Sequence, residues 1–255
     1  MEITLIIPCY NEAANLQKGV LDKIGNYTRN DDRFKEVVIV DDGSDNESRS
    51  IIKSKYLTAF PKFRLIANKH AGKAFAVITG IEQAKADYVF FTDMDLATPI
   101  EECEKLFEYA KNGYEVVIGS RNTHRDGAPL SRKVLALGFM WTRNFIIGLK
   151  GIKDTQCGFK IFSTPAAHEI INRLKVFNKS QVINTPSVTA GFDLEFLFLA
   201  RKLKYRIKEV HVTWRHVETK RVAFVKDALE TLRDIMRIKY YDLKGQYEKP
   251  NKTAV

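Results

Sequence analysis

The sequence of 255 residues is poor in cysteine, and its three cysteines, Cys9, Cys103 and Cys157, lie far apart. An odd number of separated cysteines supports neither a disulfide framework nor a cysteine-rich metal site, and it is typical of free thiols in a reducing compartment. Long apolar runs are also missing. The longest candidate, Val134–Leu149, is interrupted by Arg143 and falls short of the ~18 residues that a membrane-spanning helix needs. The first residues lack the basic segment and cleavage site of a signal peptide. We therefore expect a cytoplasmic protein that is soluble or peripheral to a membrane.

The composition is that of a folded, basic protein. Hydrophobic residues make up 45% of the chain and charged residues 28%, and 41 basic against 31 acidic residues give a formal net charge of +10. A basic surface attracts nucleic acids, nucleotides and anionic membranes alike. A nucleic-acid-binding protein is therefore one alternative, but the basic residues are not interleaved with aromatic residues and match no DNA-binding motif. We expect no nucleic-acid partner.

Short apolar runs alternate with helical patterns through the first half of the chain. Uninterrupted apolar strands between helices are typical of a parallel sheet covered by helices on both faces, in which ligands bind at the carboxyl ends of the strands. Helices are predicted at Asn15–Ile24, Lys73–Lys85 and Ile100–Asn112. Strands are predicted at Glu2–Pro8, Glu36–Val40, Arg64–Ala67, Tyr88–Thr92 and Glu115–Gly119.

The second half follows a different pattern. A long apolar and basic helix is predicted at Ser131–Leu149, followed by a polar turn and a strand at Phe159–Phe162. Residues 1–220 are expected to form one catalytic domain, and residues 221–255 a basic amphipathic helix with a polar tail. In that helix the apolar residues recur at helical spacing, which predicts that they pack on the catalytic domain. These residues are Val225, Leu229, Leu232 and Met236.

Two acidic clusters follow predicted strands. Asp41–Asp45 comes directly after the second strand, where a turn or helix cap and the recognition of a nucleotide base or ribose are both open interpretations. Asp93 and Asp95 follow the strand Tyr88–Thr92, and side chains two residues apart in an extended chain point the same way. Two such carboxylates suit one hard cation, Mg²⁺ or Mn²⁺, which also binds substrate phosphates.

These clusters, read together with Pro8-Cys9-Tyr10-Asn11-Glu12, resemble the ordered motifs of the family 2 glycosyltransferases. The resemblance implies a GT-A fold, which is a Rossmann-like α/β fold with a mostly parallel central sheet, helices on both faces and a single domain. It also implies inverting transfer of a hexose from a nucleotide sugar, with Asp93 and Asp95 holding the metal and the diphosphate. The residues implied to bind the nucleotide are Pro8, Tyr10, Glu12, Asp41, Asp42, Lys73 and Asp93.

The second half resembles the polyprenyl-phosphate glycosyltransferases, and among them the dolichyl-phosphate glucosyltransferases, in the run Asp154-Thr155-Gln156-Cys157-Gly158-Phe159-Lys160. The resemblance implies UDP-glucose as donor and a polyprenyl or dolichyl phosphate as acceptor. Arg121, Arg132 and Ser131 would then bind the acceptor phosphate. Asp193 lies where the family's usual catalytic base would be, and the residues implied for the acceptor and sugar pocket are Asp154, Gln156 and Glu195.

The segment Arg132–Lys153 has five basic residues, no acidic residue and many large apolar residues. This composition is typical of a helix that lies in the headgroup region of a membrane, and a core helix with basic ends is the alternative. The first interpretation predicts peripheral binding at the cytoplasmic face of a membrane. Two further alternatives remain open for the reaction: a sugar hydroxyl as acceptor in cell-surface glycan synthesis, with Asp193 as an essential base, and GDP-mannose as donor.

Overall fold

The structure is a computed structural model, and it describes residues 1–121, 130–177, 190–215 and 224–248. The side chains of residues 130–137, 139, 190 and 224–228 lie outside the description. Within the described residues the chain forms a seven-stranded sheet in the order β3-β2-β1-β4-β6-β5-β7. The strands are β1 (Ile3–Cys9), β2 (Phe34–Asp41), β3 (Phe63–Ala67), β4 (Tyr88–Thr92), β5 (Val116–Ser120), β6 (Phe159–Ser163) and β7 (Ile207–His211).

The pairing of the strands gathers the polar segments at one edge of the sheet. β1 is parallel to β2 and β4, with Cys9 opposite Asp41. β6 runs antiparallel to β4 and β5, so that Phe159, its first residue, pairs with Thr92, the last residue of β4. The turn before β6 therefore meets the residues that follow β4. β5 and β7 are parallel and end at the same edge, which we call the ligand edge.

Helices cover both faces of the sheet. One core layer lies under α5 and α9, with Val77 and Leu197 fully buried, and the other lies under α2 and α6, with Ile24 and Leu106 fully buried. The helices are α1 (Ala13–Gln17), α2 (Val20–Arg29), α3 (Ser48–Ile51), α4 (Leu57–Ala59), α5 (Lys73–Glu82), α6 (Cys103–Lys111), α7 (Leu130–Ile147), α8 (Thr164–Ile171), α9 (Ala190–Lys202) and α10 (Phe224–Leu243). A π-helical turn, Ile52–Tyr56, joins α3 to α4.

The predicted α/β fold with a mostly parallel sheet is confirmed, and each predicted strand is present within a few residues of its expected ends. The single helix predicted at Asn15–Ile24 is two helices, because the chain turns at Gly19, whose φ of 74° is readily available only to glycine. The segment Ser48–Ala59 and α8 are helical although the sequence pattern had not indicated helices there.

The orientation predicted for the C-terminal helix is wrong. α10 packs on α9 and α7 through Thr231, Ile235 and Ile238, all of them buried. Leu229 and Met236, which were expected to face the domain, are 63% and 55% exposed. Leu232 faces outward as well. α10 shares the core of the catalytic region, since Ile235 and Ile238 belong to the layer beneath α9. Among the described residues, no helix has the length and apolar character needed to cross a bilayer.

Candidate functional site

The ligand edge begins with two buried carboxylates at the end of β2. Asp41 is fully buried, and its Oδ2 accepts a hydrogen bond of 2.7 Å from Nε of Arg49. Its Oδ1 is buried and has no hydrogen-bond partner among the described residues. A buried carboxylate oxygen without a donor is costly. Oδ1 of Asp41 therefore lacks a donor within the described residues, and its predicted contact with the nucleotide stays a prediction.

Asp42 has a different position. Its carboxylate accepts hydrogen bonds from the backbone N–H groups of Ala71 (3.0 Å) and Gly72 (2.8 Å), and it lies 2.8 Å from Nδ1 of His70. Both oxygens are occupied by the loop that leads into α5. In this geometry Asp42 places Lys73, the first residue of α5, and its predicted contact with the nucleotide stays a prediction.

An aromatic pair lies beside these carboxylates. The rings of Tyr10 and His70 stack with their centroids 4.2 Å apart, and Nε2 of His70 is buried with no partner among the described residues. Gly43, with a φ of 76°, fits closely against the loop, since a Cβ there would lie 2.6 Å from the backbone nitrogen of His70. His70 had not been selected from the sequence. No local feature of the sequence points to His70, because it meets Tyr10 only when the fold brings together two segments that are 60 residues apart.

The remaining residues of the first motif differ in accessibility. Pro8 is buried within β1, opposite Val40. Tyr10 and Glu12 are partly exposed, and Oε2 of Glu12 accepts a 2.5 Å hydrogen bond from Nδ2 of Asn15. Tyr10 and Glu12 can thus face a ligand with their side chains, while Pro8 shapes the strand end through its backbone.

Asp93 and Asp95 lie directly after β4, as predicted. The ammonium group of Lys73 forms an ion pair with Oδ1 of Asp93, and Oδ1 of Asp95 accepts a 3.0 Å hydrogen bond from the backbone N–H of Ala97. Burial raises the pKa of Asp95, and the nearby Asp93 carboxylate raises it further. Two carboxylates that repel each other in this way suit a bound cation.

The turn before β6 closes over this pair. A Cβ on Gly158 would lie 2.2 Å from Oδ2 of Asp93, so only glycine leaves the Asp93 carboxylate its present position. No group of three or more His, Cys, Asp or Glu side chains with the arrangement of a metal site is found in the described part of the chain. The donor set of Asp93 and Asp95 fits Mg²⁺ or Mn²⁺ bound partly through water and substrate phosphates.

Arg121 and Asp154 form a two-pronged ion pair across the edge. Nε and Nη2 of Arg121 donate to the two carboxylate oxygens of Asp154 at 2.7 and 2.9 Å, and the backbone N–H of Arg121 donates at 3.0 Å. Burial works to raise the pKa of Asp154, but Arg121 outweighs it and the pKa lies below its usual value. The guanidinium also lies 5.8 Å from the ring of Trp214. Gln156 is exposed next to this pair. The arrangement fixes the plane of a guanidinium whose remaining N–H groups can donate to a phosphate.

A buried lysine holds Asp193. Lys160, in β6, is fully buried, and its Nζ lies 2.6 Å from Oδ1 of Asp193 and 5.4 Å from the centroid of the Phe91 ring. It also donates to the carbonyl of Cys157. A lysine in the middle of an apolar strand is a signal that could have been followed in the sequence, because a buried ammonium needs a partner.

The prediction that Glu195 lines the sugar pocket is wrong. Glu195 is fully buried, and it accepts hydrogen bonds from three consecutive backbone N–H groups, those of Lys175, Val176 and Phe177, at 2.7 to 3.0 Å. The hydroxyl of Tyr247 donates to it as well, at 2.7 Å. Glu195 therefore joins the segment after α8 to the C-terminal turn and has no free oxygen for a sugar.

α7 borders the same edge. Arg143, counted above among the basic residues of an interfacial helix, is buried and donates to Oγ1 of Thr155 at 3.1 Å and to the carbonyl of Ile152. It thus holds the turn that carries Asp154. Ser131 and Arg132 lie on α7, but their side chains are outside the description, and their predicted contact with the acceptor phosphate stays a prediction.

The sequence is similar to those of known glycosyltransferases. Residues 4–171 match Glycosyl transferase family 2. The chain is 32% identical over 267 residues to a dolichyl-phosphate beta-glucosyltransferase of Saccharomyces cerevisiae, covering 96% of this chain and 76% of the relative. It is 30% identical over 260 residues to the protein of the same name in Dictyostelium discoideum, covering 95% and 75%.

Among solved structures, glucosyl-3-phosphoglycerate synthase of Mycobacterium tuberculosis, crystallised with Mn²⁺, UDP and glucosyl-3-phosphoglycerate, superposes with a TM-score of 0.66 at 15% identity, covering 94% of this chain and 80% of that one. Mannosyl-3-phosphoglycerate synthase of Rubrobacter xylanophilus superposes with a TM-score of 0.67 at 12% identity, covering 100% and 78%. These similarities show the fold. The match to the family over residues 4–171 establishes that the chain belongs to glycosyltransferase family 2.

Proposed function

We propose that this enzyme transfers glucose from UDP-glucose to the phosphate of a polyprenyl lipid such as dolichyl phosphate. One observation carries the choice of acceptor: the two carboxylates on the acceptor side of the ligand edge, Asp154 and Asp193, are both paired with cations. A sugar hydroxyl needs a free base to remove its proton. A phosphate monoester, with its second pKa near 6, is already largely ionised at neutral pH and needs cations to place it.

The names of the relatives support the same acceptor and donor. The yeast and Dictyostelium proteins are dolichyl-phosphate beta-glucosyltransferases, and UDP was bound in the M. tuberculosis structure. The identity to the Dictyostelium protein is about 30% over more than nine tenths of this chain. This similarity supports the same class of acceptor, a dolichyl phosphate, and the same sugar, glucose, for this enzyme.

The reaction needs only displacement at the anomeric carbon. An oxygen of the lipid phosphate forms a bond to that carbon while the bond to the diphosphate oxygen breaks, with inversion of configuration and no proton to remove. Asp93 and Asp95 would hold a divalent cation, Mg²⁺ or Mn²⁺, which offsets the charge that develops on the departing diphosphate. Lys73 is placed to turn from Asp93 to the diphosphate, and Arg121 orients the acceptor phosphate.

The donor nucleotide would lie between the ends of β1 and β2. The free Oδ1 of Asp41 can accept a hydrogen bond from the base or ribose, and the Tyr10 ring supplies an apolar face. The acceptor would approach from the side of Arg121 and α7. Since such a lipid is held in a bilayer, we place the enzyme at the cytoplasmic face of a membrane as a peripheral protein.

A second candidate is transfer to a sugar hydroxyl, with Asp193 as the base. An Asp193→Asn variant separates the two. With a phosphate acceptor we expect the variant to keep activity within about tenfold to a hundredfold of the wild type, because Asp193 only positions its neighbours. Complete loss of transfer, with unchanged folding and donor binding, would favour the hydroxyl acceptor.

The direct experiment offers radiolabelled UDP-glucose and GDP-mannose with polyprenyl phosphate, polyprenol or a sugar acceptor, in the presence of Mg²⁺ or Mn²⁺. We expect a labelled lipid product with UDP-glucose and the phosphate, and none with polyprenol. A product from GDP-mannose alone would overturn the donor, and a product on the sugar acceptor alone would overturn the acceptor.

A further inference from the structure

Exposed apolar side chains concentrate on two neighbouring helices. On α7, Trp141 is 74% and Phe145 is 91% exposed. In the described part of the chain, the large apolar side chains classed as exposed lie on α7 and α10 with the exception of Trp214, and these two helices pack against each other. We call the exposed row on α10 the α10 stripe; it consists of Leu229, Leu232, Met236, Tyr240 and Leu243.

The α10 stripe is a regular helical row. Its residues are three or four positions apart, so at about 100° per residue they share one side of the helix, and from first to last they span roughly 21 Å. The opposite side carries Thr231, Ile235 and Ile238, which are buried against the protein. α10 therefore has two apolar sides, one that packs on the protein and one that faces away from it.

Two exposed cations border the stripe on α10, and two carboxylates of the same helix lie toward the protein. Arg233 and Lys244 are exposed beside the stripe, and Nζ of Lys244 lies 5.7 Å from the centroid of the Tyr240 ring. Asp234 and Asp242 lie toward the protein, where Asp234 is 3.6 Å from an Arg237 nitrogen and Asp242 is 2.9 Å from Nζ of Lys202. An apolar row bordered by cations is complementary to an anionic surface.

α7 connects this surface to the ligand edge. Trp141 and Phe145 are one helical turn apart and point outward. Arg143, between them in sequence, points inward and donates to Thr155 and to the carbonyl of Ile152. The turn that Arg143 holds contains Asp154, which fixes Arg121.

We propose that the α10 stripe, together with Trp141 and Phe145, docks on the surface of an anionic lipid bilayer. The proposal rests on the proposed function, because a lipid acceptor is what a bilayer would supply. The side chains favour a bilayer over a protein partner. Trp and Tyr, which combine an apolar ring with a polar group, are typical of the interface between lipid and water, and so are flanking Arg and Lys residues. Docking through α7 holds the turn of Asp154 and Arg121 next to the lipid phosphates.

The test is co-sedimentation of the full chain with vesicles of phosphatidylcholine containing about 30% phosphatidylserine. We expect the wild type to bind, and to bind more weakly at high salt or to phosphatidylcholine alone. The Leu229→Glu/Met236→Glu variant should bind at least about tenfold more weakly, since it places two carboxylates in the stripe. Thr58→Glu, at an exposed position outside α7 and α10, is the control and should bind like the wild type. Both variants change exposed side chains, so their melting temperatures should match the wild type.

Two results with vesicles would overturn the proposal: no binding of the wild type to anionic vesicles, or equal binding by the stripe variant. A wild-type dimer in sedimentation equilibrium that the stripe variant abolishes would show that a second copy of the chain covers the stripe instead. Transfer to a short-chain, water-soluble prenyl phosphate without vesicles separates this inference from the proposed function. Retained transfer without vesicle binding rejects the docking surface alone, and vesicle binding without transfer to any prenyl phosphate rejects the function alone.

Discussion

The two sides of the ligand edge hold their carboxylates differently. On the donor side, formed by the ends of β1, β2 and β4, Asp42 is held by backbone N–H groups and one oxygen of Asp41 is left without a partner. On the acceptor side, from Arg121 onward, Asp154 and Asp193 are each held by a cation 33 residues away in sequence. The donor side is thus prepared to receive hydrogen-bond donors and a metal, and the acceptor side to present positive charge.

The largest effect is expected on the donor side. Asp95→Asn removes one of the two carboxylates that would hold the divalent cation beside the departing diphosphate, and we expect kcat to fall by roughly 10³-fold. Binding of UDP measured with and without Mn²⁺ should show that the metal no longer increases affinity. Asp32→Asn, an exposed carboxylate outside the ligand edge, is the matched control. Activity of Asp95→Asn within tenfold of the wild type would contradict the assigned metal site.

This difference between the sides also explains what the sequence could predict. Asp41, Asp93 and Asp95 directly follow apolar strands, and parallel strands bring their carboxyl ends together, so local pattern and one topological rule locate the donor side. The pairing of Lys160 with Asp193 could not be predicted in this way. It depends on β6 running antiparallel, which brings the start of β6 to the ligand edge.

Residues whose role depends on the rotation of a helix were predicted least well. The resemblance implied that both Asp193 and Glu195 lie at the pocket, but residues two apart on a helix face different directions. Asp193 reaches Lys160 and Glu195 turns to the backbone of residues 175–177. The same kind of error placed Met236 inside, since α10 is apolar on two sides and the sequence pattern does not say which one meets the protein.

The second largest effect is on stability. Glu195→Gln puts an amide NH₂ where both carboxylate oxygens accept hydrogen bonds, so at least one buried N–H or O–H donor loses its acceptor. We expect the free energy of unfolding to fall by about 2–3 kcal/mol. Chemical denaturation measures this loss, and kcat at a temperature where the variant is folded should change little. Glu108→Gln, an exposed position in α6, should change stability by less than about 0.5 kcal/mol. If kcat collapses while stability is kept, Glu195 contacts substrate after all.

The next effect is on acceptor binding. Arg121→Lys keeps the positive charge but loses the two-pronged contact with Asp154, so the cation is no longer fixed in one plane. We expect KM for the lipid phosphate to rise by about tenfold to a hundredfold, with KM for UDP-glucose within about twofold. Steady-state kinetics with each substrate varied in turn decide this. Arg29→Lys, at an exposed arginine in α2, is the control. If Arg121→Lys instead raises the KM for UDP-glucose, Arg121 lies on the donor side of the ligand edge.

The smallest effect distinguishes the two regions by the sign of a pH dependence. Burial raises the pKa of Asp234, in α10, to about 6, so its contribution to stability is complete below its unfolded pKa, near 4, and is lost as the pH rises through 6. Asp234→Asn should therefore be about 1 kcal/mol more stable than the wild type at pH 7.5, with the difference vanishing near pH 4.

For Asp31, before β2, the pH dependence of stability has the opposite sign, because hydrogen bonds from Arg33 lower the pKa of Asp31. Asp31→Asn should lose stability at pH 7.5, and that loss should shrink as the pH falls through the lowered pKa. Denaturation of both variants between about pH 2 and pH 8 measures the two slopes, because the slope of Asp31 lies below its ordinary pKa of 3.8. Equal signs would mean that α10 holds Asp234 through hydrogen bonds to its ionised form, as Arg33 holds Asp31.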